Sequence, residues 1–336
     1  DKIFDDRSRE LKSLINIQER AIKSIKKFGL TLGEKYDFEN VKEMVTKNLI
    51  NQKDIELTKT AKAALKVSKN LQLNIIENKV YSHQGLTYGG LIVKNNIKFQ
   101  KFLELFIQIL KYLNNKSVDK LFIKQIPSIY NSNFNGELDY LSFMTGCNIY
   151  RRDIISVIDM QGSYKISKDR IQGYKRGLKN NLEIREVDCF DEFWNYILIP
   201  TLSKRHSVKP VHNLEEINQL GSNFNNNIKQ FNVYHKNQIV AGATIFQTKN
   251  VAHVQYIGST PEKNTLGSLD FLFHKLIKEI YVNHRYFDFG NSHENGGMQI
   301  NQGLNYWKEG FGARSLTHDF YEIETSNFIK LDSILT

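Results

Sequence analysis

Eight of the nine histidines, His206, His212, His235, His253, His274, His284, His293 and His318, fall after residue 200, and His83 alone precedes them. Imidazole is the side chain best suited to take a proton from an ammonium near neutral pH. His253, in an apolar run beside Gln255, is the candidate base, although a lone histidine on a strand serves packing as readily as chemistry. Lys308 stands in Trp307-Lys308-Glu309-Gly310-Phe311-Gly312, a turn in which aromatic neighbours hold the chain and glycine frees the backbone to aim a charge. Asp270 near the start of a long helical run, Asp288 at the end of a short apolar one, and Ser292, Glu294 and Asn301 in the loop that follows form a polar rim. Loops at strand ends are where ligands bind in open α/β sheets. Asp288 is expected to orient an amine or a sugar hydroxyl and Glu294 to serve as an alternative base; N-capping and turn hydrogen bonds are the competing roles.

A second chemistry is anion binding. In Ser259-Thr260-Pro261-Glu262-Lys263-Asn264-Thr265-Leu266-Gly267-Ser268 a loop of small residues runs into a helix, so free backbone N–H groups and the helix dipole converge on one point. Ser259, Thr260, Asn264, Thr265, Gly267 and Ser268 are the candidate contacts; a capped helix start has the same pattern. Residues 165–185 carry Lys165, Lys168, Arg170, Lys175, Arg176, Lys179 and Arg185 against Asp169 and Glu183. That concentration of positive charge suits phosphate, as it also suits a solvated helix face. Lys175 and Arg176, the loop from His206 to His212 stiffened by Pro210, and Gln255, Tyr256, Asp270, Ser292, Asn301 and Trp307 are the candidate substrate contacts. Cys147 and Cys189 are too few for a disulfide framework or a cysteine zinc cluster and are expected as free thiols. No His-x-x-x-His or Cys/His spacing supports zinc, so no metal is expected.

The elements that must position these groups follow from periodicity. Residues 1–70 read as two or three lysine-rich helices. Residues 71–160 read as a mixed α/β unit: a hairpin around Glu77-Asn78, a strand over 91–93, a helix from Phe99 to Leu113, a strand at 121–123, a helix over 138–145 and a strand over 149–158. Residues 161–336 give a basic helix (167–180), a strand (182–187), two helices, strands at 231–235, 239–247 and 251–257, a long helix (266–283), a strand at 286–289, a short helix near Tyr306 and a last strand at 316–323. The 336 residues carry 46 basic and 36 acidic side chains, and 40% are apolar, the composition of a globular protein of two or three domains rather than a disordered, collagenous or coiled-coil chain. No run approaches the roughly 20 apolar residues of a membrane helix, and the opening Asp1-Lys2-Ile3 shows no leader. A cytoplasmic protein is expected.

The order of elements in the second half is that of the GNAT acyltransferase fold, and local sequence sharpens the likeness. Tyr286-Phe287-Asp288-Phe289-Gly290, then Gln302-Gly303-Leu304, then Trp307-Lys308-Glu309-Gly310-Phe311-Gly312 resembles the closing signature of the Fem family of tandem-GNAT aminoacyltransferases and their polysaccharide-locus relatives. Tyr174-Lys175-Arg176-Gly177-Leu178-Lys179-Asn180-Asn181-Leu182-Glu183-Ile184 is similar to the basic helix that opens the family's second half, and His253-Val254-Gln255-Tyr256-Ile257-Gly258-Ser259 sits where GNAT proteins have their fourth strand. The resemblance covers roughly residues 75–325. It departs at residues 1–70, which lack the initial strand of the family's first half.

The resemblance implies two GNAT-like half-domains, an incomplete one over 71–160 and a complete one over 161–336, behind a helical segment 1–70. It implies an acyl donor, acyl-CoA or aminoacyl-tRNA, with the 259–268 loop holding the pyrophosphate of coenzyme A and Lys308 as a charge stabiliser. The acceptor it implies is an amine of a cell-envelope precursor, such as an amino sugar of surface polysaccharide synthesis or a peptidoglycan precursor. A rival expectation is a noncatalytic GNAT-like module that recruits RNA or a protein partner through its basic helices.

Overall fold

The computed structural model describes residues 73–82, 87–93, 97–206 and 210–335. The helices expected over residues 1–70, and Ser207, Val208 and Lys209 of the His206–His212 loop, lie outside the described residues. The expected hairpin forms as β1 (Leu73–Ile76) and β2 (Lys79–Ser82). Residues 91–93, expected as a strand, are irregular chain, joined to the sheet nearby through the Gly89 N–H and the Lys124 carbonyl. In α1 (Phe99–Asn115) the recurring Phe102, Phe106, Leu110 and Leu113 make one buried face. β3 (Lys120–Lys124), α2 (Glu137–Met144) and β4 (Asn148–Asp159) follow.

The second half contains α3 (Lys168–Lys179), β5 (Glu183–Val187), α4 (191–206, π-helical over Trp194–Leu198) and α5 (Leu214–Asn223). Strands β6 (Ile228–His235), β7 (Gln238–Gln247) and β8 (Val251–Ser259) come next, then α6 (268–280, π-helical over Leu276–Ile280) and β9 (Tyr286–Asn291). A small hairpin, β10 (His293–Glu294) and β11 (Gln299–Ile300), precedes α7 (Gln302–Glu309) and β12 (Arg314–Glu324). Apart from that hairpin, the strands form one ten-stranded sheet in the order β1-β2-β3-β12-β4-β9-β8-β7-β6-β5.

That order contains an internal repeat. β2-α1-β3-α2-β4 and β8-α6-β9-α7-β12 are the same succession of elements, and in each the first two strands pair parallel. The sheet run β2-β3-β12-β4-β9-β8 therefore reads alike from both ends, with the final strands exchanged: β4 lies beside β9, and β12 beside β3. At the centre β4 and β12 pair antiparallel with Asp153 opposite His318, which places a pseudo-twofold axis there. The division expected at residue 160 is thus crossed in both directions, because Tyr321 and Ile323 of β12 complete the core under α1 and α2. Strand periodicity says which face is buried but not which strand is the neighbour.

Alternation along the strands assigns the two faces. Phe231, Val233, Val254, Phe287 and Phe289 point toward α3, α6 and α7. Tyr234, Ile239 and Tyr256 point the other way and pack with Trp194 and Ile217 of α4 and α5. Helix α3 crosses α6 at Gly173 and Gly177, where an added Cβ would lie 1.8 Å from Asp270 Oδ2 and 2.5 Å from Phe271 Cβ respectively. Gly177→Leu should overpack this crossing at a cost of about 1–3 kcal/mol, lowering Tm in thermal unfolding by about 2–4 °C per kcal/mol.

Candidate active site

β8 and β9 pair in parallel only over Val251–Tyr286, Ala252–Phe287 and His253–Asp288. Beyond that point β8 continues toward Ser259 beside β7 while β9 turns to β4, so the sheet forks, and His253 and Asp288 are the last pair before the split. The fork is set by a bulge. Between Ile155 and Val157 of β4 the β9 strand carries an extra residue, and Gly290 there takes φ +68, a left-handed conformation that a side chain would strain. Its N–H turns back onto Asp288 Oδ1 at 2.7 Å.

Asp288 is fully buried and accepts two more hydrogen bonds, from Tyr130 Oη at 2.6 Å and from His253 Nδ1 at 2.9 Å. Burial alone would push its carboxyl up, but His253, the Tyr130 hydroxyl and the Gly290 N–H together hold it below the usual carboxylate value. A carboxylate on Nδ1 keeps the imidazole proton there and leaves the lone pair on Nε2, the arrangement a general base requires. Tyr130 comes from the 3-10 turn Ser128–Tyr130 after β3. Tyr88 packs against Tyr130 (ring centroids 4.6 Å) and edge-on to His253 (6.3 Å). Burial first, then the charge of Asp288, raises both phenols above their ordinary value.

Lys308, expected in a turn, lies on the last turn of α7, because the Asn301 side chain starts the helix by accepting from the Leu304 N–H and Gly310 ends it. It is 4% exposed. Its Nζ donates to the carbonyls of Gly290 (3.1 Å) and Asn291, reaching the far side of the fork. Burial lowers its ammonium to about 8, with Asp288 pulling the other way. In the other repeat the positions of His253 and Asp288 are taken by Tyr81 and Phe122, whose rings stack at 4.5 Å. The first fork therefore has no acid–base pair.

Of the remaining candidates, some are brought near this centre and some are not. A bulge at Gln255, which has no partner between Tyr256 and Val254, flips the strand parity and puts Tyr256 on the same face as His253. Burial raises the Tyr256 phenol to about 12. His212 is pinned there, with its Nδ1 2.6 Å from the Tyr256 hydroxyl and its carbonyl accepting from Trp194 Nε1; burial holds it below its ordinary value. His206 ends α4, and its side chain lies outside the described residues.

Asp270 is not on a rim. It sits between α3, α6 and α7, paired with Arg170 at 2.7 Å and accepting from Trp307 Nε1 at 3.0 Å. Trp307 itself packs on Phe273, Phe289 and Phe311. Glu294 is exposed on the β10–β11 hairpin and accepts from Asn301 Nδ2 at 2.8 Å, so these two hold the entry to α7. Ser292 is buried with an unpartnered hydroxyl.

The 259–268 loop is divided by an extra helical turn, Lys263–Leu266. Asn264 and Thr265 are exposed, whereas Ser259, Gly267 and Ser268 are buried. Thr260 is held by its N–H on the Val240 carbonyl, and Ser268 Oγ has no partner. Arg176 stands over Gly267, while Lys175 is exposed on α3. Among the described residues no His/Cys/Asp/Glu group has the makings of a metal site, and no helix is long and apolar enough to cross a membrane.

The forked sheet, its repeat and the succession of elements around it define the GNAT fold in tandem, of Fem-like build. Two solved structures superpose on most of the chain. FemX matches 78% of this chain and 86% of its own at 10% identity and a TM-score of 0.54. The C-terminal DUF2156 domain assigned to a lysylphosphatidylglycerol synthetase of Agrobacterium fabrum matches 75% of this chain and 79% of its own at 13% identity and a TM-score of 0.53. At these identities the likeness is one of fold. By sequence the chain matches no family model and no curated protein.

Tyr130 and Tyr88 carry no signal in the sequence. They lie in a loop and a single 3-10 turn more than a hundred positions before His253, and the exchange of β4 and β12 is what brings the two repeats together around the fork.

Proposed function

We propose that the chain is an N-acyltransferase that moves an acyl or aminoacyl group from an acyl-CoA or an aminoacyl-tRNA to an amine of a cell-envelope precursor, such as a nucleotide-linked amino sugar. The observation that carries this reading is the convergence of a carboxylate-held histidine and a buried ammonium at the β8–β9 fork. An amine acceptor arrives largely protonated, and His253 Nε2 removes that proton so that the nitrogen lone pair attacks the donor carbonyl carbon. The carbonyl oxygen then takes up negative charge. Lys308 has three N–H donors and spends two on the Gly290 and Asn291 carbonyls, which leaves the third for the oxyanion. The attack has formed the C–N bond; collapse re-forms the carbonyl and breaks the donor's C–S or C–O bond, and the second proton shed by the nitrogen goes to the departing thiolate or alkoxide, leaving the amide.

The exposed lysines of α3, with Arg176, provide positive charge near the 259–268 loop for the phosphates of a nucleotide or of tRNA. The purified protein should form an amide, seen by mass spectrometry, when given an acyl-CoA or aminoacyl-tRNA together with a nucleotide amino sugar. Steep weakening with salt would mark tRNA, since each phosphate contact releases counterions. A failure of every donor to react with any amine, by an intact folded protein, would overturn the reading.

A further inference from the structure

β12 pairs with β3 over Phe320–Glu324 and with β4 along almost its whole length. The Gln125 N–H still reaches the Asp319 carbonyl at 3.0 Å, but past that bond the chain leaves the sheet toward Tyr130, so the part of β12 before Asp319 has no strand beside it on this side. That edge borders a cleft of about 100 Å³, closed on the far side by the loop before α2 and by the first turn of that helix. It lies one ring from the fork: Tyr88 packs edge-on to His253 and, at 5.9 Å, to His318 of this cleft.

The groups left unsatisfied in the cleft are acceptors. His318 is 5% exposed, and its Nε2 has no partner; the same is true of Asn135 Oδ1, also shielded from solvent. The other His318 nitrogen bonds the Gln125 carbonyl, so the proton is on Nδ1 and Nε2 carries the lone pair. Burial, helped by Lys124 and Arg151 close by, holds the ring down to about 4, and it is neutral at ordinary pH. The charged side chains in the lining are both carboxylates, Asp139 and Asp319, which share the Tyr321 hydroxyl at 2.9 and 3.5 Å. Asp319 is matched by a two-pronged bond from Arg152, whereas among the described residues no cation pairs with Asp139.

We propose that this cleft binds the primary ammonium group of a small ligand, held by His318 Nε2, Asn135 Oδ1 and the Asp139 carboxylate. An ammonium offers three N–H donors and one positive charge; the cleft offers two acceptors with no partner, His318 Nε2 and Asn135 Oδ1, and the Asp139 carboxylate, which accepts from Tyr321 but has no cation beside it among the described residues. A carboxylate or phosphate finds no donor among these groups, and a neutral hydroxyl leaves Asp139 uncompensated. The site stands apart from the reacting atoms and draws on none of the residues assigned to them.

Binding by the intact chain can be followed with ligand-observed NMR, using glucosamine and L-lysinamide as amines and glucose and N-acetylglucosamine as matched neutral probes. At least one amine should bind about tenfold or more tightly than both neutral sugars. The tighter of the two identifies an amino sugar or an amino acid as the source of the group. Asp139→Asn, at an exposed position that should fold normally, and His318→Phe should each weaken the amine several-fold with no change for the neutral sugars. Equal binding of glucose and glucosamine, no saturable amine binding, or full retention of it in Asp139→Asn would overturn the proposal.

Discussion

Replacing Lys308 by methionine should leave a folded protein that transfers acyl groups about a hundredfold to a thousandfold more slowly, the loss that follows removal of one preorganised donor to an oxyanion. The expectation rests on two opposed costs that nearly cancel in stability and do not cancel in rate. In the fold the Lys308 ammonium is lowered to about 8 from the lysine value of 10.5. Between these values the unfolded chain binds more protons than the folded one, so stability rises with pH across that window. Below it the full cost of burying the charge, about 3 kcal/mol, is present. Methionine removes that cost but leaves the Gly290 and Asn291 carbonyls without their donor, at about 1–3 kcal/mol each. Thermal unfolding near neutral pH should therefore shift by a few degrees at most, while single-turnover transfer collapses. A lysine kept for stability would give the reverse, a clear loss of Tm with transfer retained.

The same residue shows how far the sequence goes. Periodicity located nearly every described element within a few positions, from the hairpin at Glu77-Asn78 to the strand that became β12, because burial imposes a period of 2 or 3.6 whatever the neighbours are. It could not reveal that β12 and β4 change places, since pairing partners leave no period. It places a short helix near Tyr306 and Lys308 in a glycine-rich turn, whereas the helix runs on to Glu309 and carries Lys308 on its last turn. His253 and Asp288 were legible as separate residues. Their bond was not, for it needs the parallel register of β8 on β9 and a left-handed glycine in a bulge. Asp270 escapes periodicity for a related reason: an acid near a helix start looks like a cap or a ligand, and here Gly173 of α3 leaves room for its carboxylate beside Arg170 and Trp307. Tyr130 and the acceptors around His318 belong to loops whose positions are set by strands from the other repeat.

Asp288→Asn is expected to cost more than any other single substitution at the fork, about a hundredfold to ten-thousandfold in transfer. Three donors converge on this carboxylate, from His253, Tyr130 and Gly290. An amide presents one acceptor oxygen and an NH2 group, so at least one donor meets another donor. If the NH2 faces the imidazole, His253 must move its proton to Nε2, which removes the lone pair that accepts from the amine. Asp288 also supports the charge on Lys308, so its loss lowers that ammonium further below about 8. The sign is therefore fixed: transfer that needs Lys308 charged falls as pH rises through its pKa, and in Asp288→Asn this alkaline limb moves to lower pH. Burial of the site makes the shift measurable, since solvent does little to screen a charge that is fully enclosed. A pH–rate profile of wild type and variant on the same donor and acceptor checks both effects together. A residual rate within tenfold of wild type with an unmoved alkaline limb would mean that the carboxylate merely fills space, and that proton transfer is carried elsewhere.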